Sequence, residues 1–338
     1  MTTLITLAMV ALLAQAPSAP QGTSPAQPQS PLPQTSEGDD ALQLQVMLDR
    51  AGFSPGAIDG KMGANTRKAF ELFNATGMQP ASVPATITYR ITAADVAGPF
   101  IAQAPKDMME SAKLPALGYT SAIEELAERF HTTAAFLQQL NPGISFTADQ
   151  EIHVPNVEPM VLPATMSVLE PKQPKPTGQR GVTSNASQPT GTSGTHEAVE
   201  KPNLVIAVSR SASALTVTDA SGRVVLYAPV TTGSTHDPLP IGEWKVTSIF
   251  FNPAFNYNPD LFWDADPSHT KATLKPGPNN PVGVVWINLS KEHYGLHGTP
   301  EPATIGRTQS HGCVRLTNWD ALRLASLAKP GTPVVFKE

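Results

Sequence analysis

The chain contains a single cysteine, Cys313, among 338 residues, so no disulfide can form within it. A lone thiol is most often a small buried hydrophobe; in an exported chain it is also a candidate reactive group. Charge is sparse: 15% of residues are charged and the formal net charge is −5. No run of Lys and Arg makes a stripe able to follow phosphates, which argues against nucleic acid as a partner. Long apolar runs are missing as well. Residues 4–13 are too few to cross a bilayer, and no other segment reads as a stable membrane span. Gly-rich phosphate loops and metal-ligand spacings are absent, so no cofactor and no metal are implied.

Proline, by contrast, is abundant at 34 residues, and hydrophobic residues make up 40%. The length exceeds what one core usually organises, and low charge with high proline predicts small domains joined by linkers. Residues 1–16 read as a signal peptide, with residues 4–13 as its apolar core and Ala14-Gln15-Ala16 as a small-x-small cleavage pattern. Residues 17–37, rich in Pro, Gln, Ser and Ala, bury too little to offset ordering entropy and are predicted as a flexible linker. A first small domain extends over 38–100. There Leu44, Met47, Leu48 and Ala51 recur at helical spacing up to Gly52; after the Asp59-Gly60 turn, Asn65 or Thr66 caps a second helix carrying Ala69, Phe70 and Phe73. A second small unit occupies 115–157. Ser121 and Glu124 form a capping-box pattern; Ile123, Leu126, Ala127 and Phe130 line one helix, Phe136, Leu137 and Leu140 another, and residues 151–155 read as a strand. Residues 158–200 form a second linker, rich in Pro, Ser and Thr.

Residues 201–338 have a different pattern. Strands are predicted near 204–208, 215–217, 224–227, 243–251, 284–289 and 334–336, with a hairpin turn at Asp219-Ala220-Ser221-Gly222 and one helix starting near Asn318. This segment is expected to be mostly β and sandwich-like, and to fold without the residues before it.

Its chemistry is carried by Tyr294-Gly295-Leu296-His297-Gly298-Thr299 and Ser310-His311-Gly312-Cys313-Val314-Arg315-Leu316. Attack on an unactivated amide needs a thiolate, a base and donors for the oxyanion. Two histidines flank Cys313 in sequence. His311 is two residues away, on the same face if the chain is extended; His297 must be brought in by the fold. Gly312 leaves the backbone open beside the sulfur. Paired as an ion with His297, the thiol would ionise well below its usual value of about 8.5; otherwise its proton is taken on demand. His297, His311 and Cys313 are also suitable zinc donors, with no obvious fourth ligand. His131, His153, His196 and His269 read as surface or loop histidines.

The two strings together resemble the signature of the L,D-transpeptidase family of YkuD type. The likeness extends through VTTGSTHDPLPIGEWKV (230–246) and PGPNNPVG (276–283). Upstream, LQVMLDRAGFSPGAIDGKMGANTRKAFELFNATGM resembles a peptidoglycan-binding domain, and LAERFHTTAAFLQQLNPG with DQEIHVPNV resembles a LysM module. The resemblance implies a multidomain protein: a small α-helical peptidoglycan-binding domain, a small α+β LysM-like module, and a mostly β, sandwich-like catalytic domain over 201–338. It implies Cys313 as nucleophile, His297 as general base and His311 as support for the site or the oxyanion. Gly312, Ser310 and Gly298 would shape the loop and the oxyanion site, Arg315 would orient the loop or meet a substrate carboxylate, and Thr299 would meet substrate. Read from the sequence itself, Trp263 in the loop 250–268 is the candidate wall for substrate. Implied partners are peptidoglycan stem peptides and glycan strands, with an anchored lipoprotein as a further acceptor, and the implied location is the periplasm or cell wall. In the implied reaction Cys313 forms a thioester with a tetrapeptide stem, releases D-Ala, and an amine resolves the thioester. A hydrolase of the same fold, with water as acceptor, shares every motif residue. A wall-binding scaffold with a dead catalytic domain is disfavoured by the intact Cys313, His297 and His311.

Overall fold

The computed structural model describes residues 37–162, 167–169 and 203–338. The expected signal peptide and most of both linkers lie outside these residues. Helix α1 (Glu37–Arg50) buries Leu44 and Leu48 and stops before Gly52, which takes a left-handed φ of +84°. Helix α2 (Ala64–Ala75) begins after Gly63, with no side-chain cap. Thr66 is engaged by the Gln45 amide (3.2 Å), and Asn65 donates to the distant Ile305 carbonyl (3.0 Å), so neither caps the helix as expected.

Strand β1 (Thr86–Arg90) is followed by helices α3 (Met108–Ala112), α4 (Ala122–Arg129) and α5 (Ala134–Leu140), then by strand β2 (Glu151–Pro155). The capping box at α4 is shared between two residues: Ser121 Oγ accepts the Glu124 N–H (3.4 Å), while the Glu124 carboxylate accepts the Thr120 N–H (2.6 Å). Strand β2 takes its antiparallel partner from β1, Thr86 facing Pro155. The two small units also share a core, in which Leu42 and Val46 of α1 pack with Leu126 and Phe130 of α4.

The remaining strands are β3 (Ser167–Leu169), β4 (Val205–Ser209), β5 (Ala214–Thr218), β6 (Val224–Pro229), β7 (Gly242–Phe251), β8 (Phe255–Tyr257), β9 (Ala272–Leu274), β10 (Val285–Leu289), β11 (Gly295–His297), β12 (Val314–Arg315) and β13 (Pro333–Lys337), with helix α6 (Asn318–Leu327) before the last. β8 and β9 form a separate hairpin; the rest make one sheet in the order β12-β11-β10-β7-β13-β4-β5-β6, with β3 beside β7. This corrects the expected sandwich. Strand β7 has 10 residues; its first half pairs with β13 and its second with β10 and β3. One strand therefore runs through both halves, and the sheet curves around a single core. Val208 and Leu215 from one half meet Ile287, Leu296 and Val314 from the other, closed by Leu324 and Ala325 of α6.

The described residues form one compact unit. The loop after α1 lies along β6: Tyr227 N–H donates to Gly52 O (2.8 Å) and Ser54 N–H to Tyr227 O (2.9 Å), which covers the sheet edge. Against α6, the Asp49 carboxylate meets Arg323 (2.7 and 3.1 Å) and His131 Nδ1 (3.0 Å). Ser54 Oγ donates to Asp320 (2.8 Å), and Asn318 Nδ2 to Glu128 (2.7 Å). His131, expected near the surface, is 1% exposed and stacks on Trp319 with ring centroids 5.2 Å apart. The polar face of α6 thus finds its partners upstream, and the C-terminal segment does not stand clear of the residues before it.

Candidate active site

Strands β11 and β12 are adjacent and parallel, Leu296 facing Val314 and His297 facing Arg315. Leu296 and Val314 turn into the core, both at 0% exposure. Strand alternation sends Gly295, His297, Cys313 and Arg315 to the opposite face. The two motif strings therefore meet as neighbouring strands, with Cys313 immediately before β12.

His297 is buried, and Trp286, its cross-strand neighbour on β10, stacks on the ring at 5.2 Å. Its Nδ1 lies 2.7 Å from the Gly298 carbonyl oxygen. A carbonyl only accepts, so Nδ1 carries the proton and Nε2 keeps the lone pair a base needs. Burial, aided by the nearby Arg315 charge and opposed by the carbonyl, pushes the imidazolium down to about 3. The ring is neutral throughout the physiological range.

The Cys313 thiol lies 3.6 Å from the His293 carbonyl. Burial raises its pKa above the ordinary thiol value, although the Gly295 amide and Arg315 favour the thiolate. Both groups therefore rest neutral, Cys313 as the thiol and His297 as the unprotonated imidazole. The sign for reactivity follows: below a raised pKa the thiolate fraction falls about tenfold per pH unit. Iodoacetamide alkylation of Cys313 should therefore climb steadily from pH 6 to beyond 8; a rate plateau below pH 7 would show a standing thiolate instead.

The surrounding loop is held open at the sulfur. Gly312 has φ +100°, and a Cβ there would lie 2.8 Å from the Tyr294 ring. Ser310 Oγ donates to the Cys313 carbonyl (2.6 Å), fixing the loop from inside. Arg315 exchanges backbone bonds with Thr231 (2.9 and 3.0 Å). Thr299 is buried, and its hydroxyl accepts the Glu301 N–H (3.2 Å), so it shapes the turn after His297. Gly298 lies under Asn318.

His311 faces a different group. Its Nε2 lies 2.7 Å from Asp264 Oδ1, and its ring meets Phe262 and Trp263 at 5.1 and 5.9 Å. Trp263 is 58% exposed and stacks on His236 at 4.6 Å. Asp264, Phe262, His236 and the His293 carbonyl were not anticipated from sequence; only the aromatic Trp263 beside Asp264 marked that loop. A cleft of about 370 Å³ opens between α4 and residues 300–304, its lining including Glu124, Asn279 and Glu301. Among the described residues, no group of three or more His, Cys, Asp or Glu is placed to hold a metal, and no helix is long and apolar enough to cross a membrane.

Residues 203–336 match the YkuD family, the L,D-transpeptidase catalytic domain. The Bacillus subtilis protein YkuD, grouped by name with the L,D-transpeptidases, is 34% identical over 131 residues, covering 39% of this chain and 64% of that protein. Its namesake in Bacillus licheniformis is 50% identical over 60 residues, 18% of this chain and 36% of the other. Thus the chain spans less than two thirds of these relatives. Among solved structures, L,D-transpeptidase 3 from Mycobacterium tuberculosis, in complex with a faropenem-derived adduct, is 21% identical with a TM-score of 0.34, covering 40% of this chain and 61% of that one. The likeness to the YkuD-type L,D-transpeptidase catalytic domain thus lies in the C-terminal part of the chain, residues 203–336.

Proposed function

We propose that this protein is a peptidoglycan L,D-transpeptidase that works through a thioester on Cys313. The observation that carries the reading is the parallel pairing of β11 with β12, which sets the strand of His297 beside the strand that follows Cys313, with His297 holding its proton on Nδ1. His297 Nε2 takes the thiol proton as sulfur attacks the stem-peptide carbonyl. The open backbone at Gly312 leaves room for the oxyanion beside the loop amides. The same imidazole returns the proton to the departing D-Ala amine, and an amine of a second stem, or of an anchored lipoprotein, then resolves the thioester. Arg315 and the exposed Trp263 are the proposed substrate contacts. His311, paired with Asp264, supports the loop over the site. The helical unit over 38–100 and the LysM-like unit hold the enzyme on glycan strands, in the periplasm or cell wall.

The test is mass spectrometry of purified tetrapeptide stems incubated with the full chain. A crosslinked dimer that has lost one D-Ala is the expected product. Tripeptide alone would identify the enzyme as a hydrolase of the same fold, and unchanged stems would overturn the reading.

A further inference from the structure

Glu128 is the one carboxylate of α4 that is buried, at 7% exposure, and it does not face the small-domain core. One oxygen accepts from Tyr119 Oη (2.6 Å) and the other from Asn318 Nδ2 (2.7 Å). Asn318 is the first residue of α6 and is fully buried. Its Oδ1 accepts the Val284 N–H (3.2 Å), and its Nδ2 also lies 3.3 Å from the Pro278 carbonyl. A carboxylate on one side and an N–H on the other fix which way the Asn318 amide points, because each has only one matching end.

That amide is wedged between two glycines. A Cβ on Gly283 would lie 1.9 Å from Asn318 Oδ1, and one on Gly298 would lie 2.1 Å from it. Asn318 therefore presses directly on the Gly298 backbone. The Gly298 N–H donates to Val285 O (3.2 Å), and its carbonyl receives the His297 Nδ1 proton (2.7 Å). The chain of contact runs from a helix of the LysM-like unit, through one amide, to the peptide group that sets the tautomer of the proposed base.

We infer that Glu128 is a positioning residue for His297, acting through Asn318 and the Gly298 peptide. The inference rests on the reading of His297 as base. It ties the upstream unit to catalysis directly and not only to wall attachment. Removing Glu128 leaves the Asn318 NH₂ only its longer contact to the Pro278 carbonyl (3.3 Å), which loosens the amide against the Gly298 carbonyl and lets the imidazole sample the wrong tautomer. Burial pushes the Glu128 carboxyl up to about 7, so glutamine closely imitates its neutral form: the amide oxygen accepts from Asn318 while the NH₂ turns to Tyr119. Aspartate, one methylene shorter, cannot span both partners.

The experiment measures Cys313 acylation by a carbapenem together with the ¹⁵N shifts of the His297 ring in the full chain. E128D is expected to acylate about 10- to 100-fold more slowly, with its ring nitrogens moving from the Nδ1–H pattern toward a mixture. E128Q should restore the rate to within about threefold and recover the wild-type shifts. Y119F removes the other bond of Glu128 but leaves Asn318 held, so it should weaken docking, read as thermal unfolding, without moving the tautomer. A wild-type tautomer in E128D, or an equal shift in Y119F, overturns the inference. H297A keeps the failures separate. If H297A acylates at the wild-type rate, the assignment of the base falls, while the ring shifts of E128D still decide whether Glu128 positions it.

Discussion

The C313A variant is expected to form no covalent adduct with a carbapenem and to lose at least about 10³-fold in turnover, as removal of an essential nucleophile does elsewhere. The chain offers no second thiol, so nothing can take over the attack. The fold should survive. The change removes one sulfur from a half-buried position, and the contacts that shape the loop use the backbone: Ser310 Oγ still meets the residue 313 carbonyl, and Gly312 keeps its conformation. A serine at 313 should be nearly as inactive, because the neutral His297 would have to take a proton from a far weaker acid. Intact-mass measurement after incubation decides it. One adduct on the wild type and none on C313A is the expected result; an adduct of equal yield on C313A would remove Cys313 from the mechanism and the transpeptidase proposal with it.

The architecture was legible in the sequence only in part. The His-Gly-Thr and Ser-His-Gly-Cys strings name their residues whatever the fold. The curved sheet was legible strand by strand because one buried face imposes a period of two, as in Val205–Ser209 and Val285–Leu289. Its closure around one core was not, since that depends on β7 serving two sets of partners along its length. Nor was the docking onto α6. Asp49 and Arg323 are 274 positions apart, and Glu128 and Asn318 are 190 apart; pairing over such distances leaves no local period to read. His131 shows the cost. A single histidine after a helix looks like a loop residue, yet its φ of +59° and its stacking on Trp319 place it at the centre of the joint. The Asp264–His311 pair was hidden for the same reason, 47 positions apart on a loop with no regular pattern.

Removing the Arg323 side chain should destabilise the chain by about 3–5 kcal/mol, the usual cost of stranding a buried charge. Asp49 is completely enclosed, with 0% side-chain exposure. Burial alone would raise its pKa, but His131 and Arg323 outweigh burial and hold the carboxyl well below the usual carboxylate range. In R323A that carboxylate keeps only His131. The sign with pH is fixed by the lowered native value: the stabilisation is complete above the unfolded pKa of about 3.9 and is lost as pH falls toward the native one. The gap between wild type and R323A in urea unfolding should therefore be widest from pH 5 upward and narrow below about pH 4. R323K should recover only part of the loss, since an ammonium cannot match both carboxylate oxygens as the guanidinium does. The paired change D49N/R323M should be less harmful than R323A alone, because it strands no charge. A loss under about 1 kcal/mol in R323A would mean the joint is solvated and worth no more than a surface pair. A full loss means that residues 201–338 expressed alone, with Asn318, Trp319 and Asp320 of α6 uncovered, start from a much less stable domain than the sequence pattern led one to expect.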